Sequence, residues 1–188
     1  MTLKGSYIEK MTDEDFSSLC EENHGYKIER LPNRHLAISL KIPVFDGSLA
    51  SSVIDQLQRW SKAAQMGSCV TGKGFLLPNG AIRQATFAWA SSTKLISAVL
   101  TDRGLRQFCP DFVLEFRQPQ DDLKSTKAKM KEWIENGCML AWLIDEKRQV
   151  VYIFEKAKMR MHTNFNKKLE AGPVLPGMVL NLSRSALP

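Results

Sequence analysis

Residues 109–146 read CPDFVLEFRQPQDDLKSTKAKMKEWIENGCMLAWLIDE, and the reading of this stretch decides the fold. Phe112, Val113, Leu114 and Phe116 read as a buried strand, because β-branched and aromatic side chains suit a pleated, covered surface. The same run carries Asp111, Glu115 and Arg117. Alternation along a strand places Phe112, Leu114 and Phe116 on a wholly apolar face and Asp111, Val113, Glu115 and Arg117 on a mixed one. An ionised carboxylate is almost never buried without a cation, a metal or a hydrogen-bond network to hold it. Glu115 is therefore the residue to explain, and the mixed face is the candidate site.

Beyond a loop rich in Gln, Pro and Asp, Leu123, Met130, Trp133 and Ile134 fall at helical spacing, which predicts a helix from about Asp122 to Asn136 with Gly137 placed to cap it. Met139 to Ile144 is a second apolar strand. Strand, helix and strand with short joints predict a right-handed crossover, which leaves the two strands parallel in one sheet. Lys129 lies at the border of the helix's apolar stripe, close enough to lean over the sheet. Lys127 lies at a comparable angle on the other side, and periodicity alone does not choose between them.

Working outward, Thr12 with Asp13 and Asp15 starts a helix carrying Phe16 and Leu19 that should stop by Gly25. Tyr26–Leu31 and His35–Leu40 are short alternating runs joined at Pro32-Asn33-Arg34, which predicts a hairpin. Val53, Leu57, Trp60 and Ala64 recur on one helical face, predicting an amphipathic helix over Ser51–Met66 ended by Gly67. Phe75–Leu77 and Ile82–Trp89 read as strands around the Pro78-Asn79-Gly80 turn. Gly72-Lys73-Gly74 is too short for a phosphate loop and reads as a turn. Short strands and a Gly-Pro-rich tail end the chain, with no internal repeat.

The chain has 188 residues, 44% hydrophobic and 24% charged, which suits one well-buried domain over 1–188. Its net charge of +6 and pI of about 9.2 suit a polyanionic partner, although much of the charge lies in the runs Lys124–Lys131 and Lys156–Lys168, which read as solvated faces. Cys20, Cys69, Cys109 and Cys138 form no C-x-x-C pair, and His24, His35 and His162 complete no zinc or Ser/His/Asp pattern. Reduced cysteines, no membrane-length apolar run and no signal-peptide core lead to the expectation of a cytoplasmic protein that does not engage a membrane.

The runs PDFVLEF, DDLKSTKAKMKEWIENG and LAWLIDE, with KIERLPNR and GFLLPNGAIRQATFAW before them and VLPGMVLNLS after, resemble a restriction endonuclease family of the PD-(D/E)xK nuclease superfamily. The resemblance covers most of the chain and is most specific over residues 109–146. It implies an α/β, restriction-endonuclease-like mixed sheet flanked by helices, with additional short strands toward both termini. The implied activity is metal-dependent endonucleolytic hydrolysis of DNA phosphodiester bonds with Mg2+ or Mn2+. In this branch the active-site lysine is displaced from the strand to the following helix, in a K-M-x-x-Tyr/Trp pattern. Carried over, the strand acid is Glu115 and the lysine is Lys129, ahead of Met130 and Trp133.

The family's metal-binding Asp falls in a Pro-Asp pair where this chain reads Ala85-Thr86, so Thr86 occupies a degenerate metal position. Mg2+ usually takes one or two carboxylates with waters and phosphate oxygens, and a neutral hydroxyl does not replace the missing charge. Asp111 is no substitute: four strand residues at about 3.3 Å each separate it from Glu115 by about 13 Å. Glu29 stands where the family has an acid on its first hairpin. Arg117 occupies the usual E-x-K lysine position, from which it could pair with Glu115 or contact a phosphate, but a guanidinium cannot act as a base. Two functions are thus in view: an endonuclease with impaired activity, or a catalytically inactive nuclease-fold binding or assembly module in which Arg117 or Lys129 neutralises Glu115. A two-fold homodimer is the expected assembly, since such dimers are the commonest closed oligomers.

Overall fold

The apolar and mixed faces of the 112–116 run are separated as alternation requires, in a sheet covered by helices. The computed structural model describes residues 1–3, 5–41, 48–70, 74–99, 105–156 and 158–183. In chain order these form β1 (Thr2–Leu3), α1 (Ser6–Lys10), α2 (Asp13–Glu22), β2 (Tyr26–Arg30), β3 (Leu36–Leu40), α3 (Leu49–Ala64), β4 (Gly67–Cys69), β5 (Phe75–Leu76), β6 (Ile82–Arg83) and β7 (Phe87–Ser91). There follow α4 (Ser92–Ile96), β8 (Phe112–Phe116), α5 (Leu123–Glu135), β9 (Leu140–Asp145), β10 (Val150–Glu155), β11 (Lys158–His162), β12 (Leu169–Glu170), a short 3-10 helix at Gly172–Val174 and β13 (Val179–Leu180). The chain divides into two compact units: Met1–Pro43, Thr71–Ala85 and Ile96–Cys109 make one, and Val44–Val70, Thr86–Leu95 and Pro110–Pro188 the other.

The second unit is built on a six-stranded mixed sheet ordered β11-β10-β9-β8-β7-β4. β8 and β9 are parallel, with Glu115 beside Leu143, as the α5 crossover requires; the other pairs are antiparallel. Phe112 and Leu114 face a buried cluster that also takes Leu49, Val53 and Leu57 from α3 and Trp142 and Ile153 from the sheet. Within it the Phe112 and Trp142 rings meet edge to face at 5.1 Å. Glu115 points to the opposite face, over which α5 lies with Met130 and Trp133 fully buried; each such apolar side chain is worth about 1.5–3 kcal/mol. Asp122 caps α5 by accepting from the Ser125 N–H at 2.8 Å, and Gly137 follows the helix at φ 104°, a conformation that favours glycine.

The first unit is a five-stranded antiparallel sheet ordered β1-β3-β2-β6-β5, whose core includes Met11, Phe16, Ile28, Leu36, Ile82 and Leu105. A capping box between Thr12 and Asp15 starts α2, as the sequence predicts. Arg30 is buried here on Asp13 at 2.7 Å and over the Phe16 ring at 5.8 Å.

Two local expectations change. The single strand over Ile82–Trp89 is two: β6 belongs to the five-stranded sheet and β7 to the six-stranded one. Between them the Gln84 N–H goes to the Glu29 carboxylate at 2.8 Å instead of to a ladder. The helix expected to end at Gly67 ends at Ala64, with Gln65 in the left-handed region at φ 53°. Gly67 instead opens β4, where a Cβ would lie 2.2 Å from the Ala90 carbonyl oxygen. The turn expected at Gly72-Lys73-Gly74 falls at Gly72 and Lys73 outside the described residues. No described helix is long and apolar enough to cross a membrane.

Candidate functional site

Glu115 lies on β8 with its side chain 7% exposed. One step beyond the Phe87–Leu114 pair of β7 and β8, Thr86 stands opposite it. The Thr86 hydroxyl donates to Glu115 Oε2 at 2.9 Å, and the Lys129 ammonium sits 2.5 Å from Oε1. Lys129 is itself 13% exposed at its side chain, so both charges are largely withdrawn from water. In such surroundings the attraction is strong, and each ion would be costly to leave alone. Lys127 goes elsewhere, its ammonium 3.8 Å from the centroid of the Tyr152 ring. The two lysines share a helix, and only the side to which each leans separates them.

The other sequence candidates have different partners. Asp111 accepts from the Ser91 N–H at 2.8 Å and pairs with Lys94 at 2.8 Å, tying α4 to the start of β8. Burial alone would raise the Asp111 carboxyl, but the hydrogen bonds from Lys94 and Ser91 outweigh it and hold the carboxyl below its ordinary value. Arg117, considered as a partner for Glu115, turns instead to Asp145 at 3.1 Å and to the Asp121 carbonyl at 2.8 Å. Asp145 is 1% exposed and also takes Arg148 at 3.2 Å; burial of its carboxylate requires that neutralisation. Glu29 is held within its own unit by Arg83 at 3.4 Å and the Gln84 N–H.

Sequence reasoning missed Asp145, Arg148 and Lys94 as partners. The signal for Asp145 was present, since it ends the buried run Leu140–Ile144 on the same face as Glu115 and Leu143. Nothing local marks Lys94, which reads as an ordinary lysine in a polar helix.

A divalent cation does not fit this donor set. Glu115 is the carboxylate of the pair at β7 and β8, and its two oxygens are engaged by an ammonium and a hydroxyl. The neighbouring strand offers Thr86 where an anionic oxygen is needed. Among the described residues no group of three or more His, Cys, Asp or Glu could hold a metal ion. What remains is a neutral, hydrogen-bonded triad: a proton-accepting carboxylate, a cation able to meet an anionic oxygen, and a hydroxyl that orients the carboxylate.

Residues 13–183 match the model of the Uma2 family, described as "Putative restriction endonuclease". A comparison with curated proteins finds no match. Among solved structures, the crystal structure of "a putative nuclease belonging to DUF820" from Anabaena variabilis ATCC 29413 is similar in fold. It has a TM-score of 0.68 over 86% of this chain and 91% of that one, at 12% identity.

Proposed function

Because this chain belongs to the Uma2 family, whose model spans both compact units, we propose that it is a DNA-directed nuclease-fold protein with impaired phosphodiester hydrolysis. The two units act together as one restriction-endonuclease-like domain in this reading. The observation that carries it is the engagement of both Glu115 oxygens by Lys129 and Thr86.

DNA as the polyanion is supported by the family description and by the net charge of +6. Hydrolysis needs a group to take a proton from water and a positive charge for the phosphoryl oxygens. Glu115 and Lys129 are the residues suited to those roles, while Asp111 is held by Ser91 and Lys94 and Arg117 by Asp145. Bound to each other, the acid and the cation are withdrawn from a substrate. Mg2+ or Mn2+ is the cation that an anionic residue at position 86 would recruit.

The test is nicking of supercoiled plasmid with Mg2+ or Mn2+ by the wild type, Glu115→Ala and Thr86→Asp, prepared identically. Nicking by the wild type at or near the Glu115→Ala level, with a metal-dependent gain in Thr86→Asp, is expected. Strong Glu115-dependent cleavage by the wild type would overturn the impairment. A folded Thr86→Asp protein without gain would overturn the place given to Thr86.

A further inference from the structure

Along the C-terminal half of α5, a groove of about 320 Å3 runs between the helix and the β10–β11 hairpin. Ile134, Phe154 and Met159 give it an apolar floor, and Lys131, Glu135, Glu155 and Lys158 stand around it. Met159 and Met161 are 43% and 59% exposed. They pair with Phe154 and Tyr152, so alternation turns both methionines toward the α5 side and Lys158 and Arg160 away from it. β11 is also the last strand of the sheet, the position at which a sheet can accept further contacts.

The charge around this groove selects the kind of partner. The chain as a whole carries +6, yet of the charged residues lining the groove Glu155 and Lys158 sit at strand positions turned away from α5, so the charges on the α5 side are Lys131 and Glu135, a balance of zero. A polyanion or an acidic peptide would call for an excess of cations. Lys158 is already beside Glu155 at 3.5 Å, which leaves Lys131 and Glu135, exposed and one helical turn apart. Neither has an ion-pair partner among the described residues. Opposite charges one turn apart are complementary to themselves when a helix is laid antiparallel on its own copy.

We infer that this groove is the interface of a two-fold homodimer, in which α5 of one copy lies antiparallel on α5 of the other. Each Lys131 then faces the partner's Glu135, and Ile134, Met159 and Met161 close the centre. Thr86, Glu115 and Lys129 take no part, so the interface stands or falls independently of catalysis.

Sedimentation equilibrium of the full chain tests this. The wild type is expected to dimerise, and Lys131→Glu or Glu135→Lys alone to weaken the dimer by about tenfold, since each places like charges together twice across the axis. The double variant Lys131→Glu/Glu135→Lys exchanges the two signs and should regain near-wild-type affinity. Met159→Asp should give a monomer with unchanged circular dichroism. A wild type that stays monomeric at high concentration overturns the inference and leaves the groove to a small apolar ligand. Single reversals that dimerise like the wild type, or a double reversal no tighter than the singles, overturn it as well.

Discussion

The Lys129 ammonium of α5 lies 2.5 Å from Oε1 of Glu115 on β8, and the Thr86 hydroxyl holds the other carboxylate oxygen at 2.9 Å. A crossover helix thus supplies the countercharge for a carboxylate that its own strand buries. The pair fills the position where the family resemblance places a metal-bound acid.

If Lys129 and Glu115 form a structural pair, removing one partner leaves the other's buried charge without its 2.5 Å countercharge. Lys129→Met is expected to lower stability by about 3–5 kcal/mol, and Lys129→Met/Glu115→Leu to recover most of that loss. Urea unfolding of the wild type, both singles and the double checks this. A Lys129→Met protein as stable as the wild type would remove the structural role and leave the lysine to chemistry.

Thr86→Asp places a second carboxylate beside Glu115. The variant should be less stable than the wild type in chelator, through like-charge repulsion, and should gain melting temperature with Mn2+ or Mg2+. At a metal concentration of about 100 times Kd the gain corresponds to about 2.7 kcal/mol. Differential scanning calorimetry with and without metal reads both effects, and the wild type should show no comparable shift.

Asp111 makes stability depend on acid pH. Its folded carboxyl is held below the ordinary value of 3.8, so the unfolded chain takes up the proton first as pH falls. The stabilisation is therefore complete well above pH 3.8 and is lost as pH drops through the lower folded value. Asp111→Asn should be less stable than the wild type near neutrality, and the two should converge below that window. Denaturant midpoints measured from neutral pH to strong acid test the convergence.

Gly67 has no room for a side chain. An added Cβ would meet the Ala90 carbonyl oxygen at 2.2 Å, Trp89 Cζ2 at 2.6 Å and Ser91 Cα at 2.8 Å. Gly67→Ala should cost about 1–3 kcal/mol by forcing β4 away from β7. Thermal unfolding gives the magnitude, while Gly25→Ala, where an added Cβ meets nothing within 4 Å, controls for replacing a glycine without a clash.

The order and type of the central elements are legible in the residues alone. Apolar alternation at Phe112–Phe116, helical spacing from Leu123 to Ile134, and the flanking Asp122 and Gly137 are local signals. Hydrophobic periodicity and capping act within a few residues, so strand, helix and parallel strand were legible without a fold. The burial of Glu115 followed from the same alternation.

Tertiary structure decided the partners. Lys127 and Lys129 are equivalent by helical angle, and only the placement of α5 over the sheet sends one to Tyr152 and the other to Glu115. Arg117 is drawn to Asp145 because β9 lays that buried carboxylate beside it, 28 residues on in the chain. The Ile82–Trp89 run divides where Glu29 captures the Gln84 N–H, a contact 55 residues apart. Gly67 reads as a helix stop until β7 is laid against it. In each case the deciding force is a close contact or a buried charge between residues far apart in sequence, which periodicity cannot register.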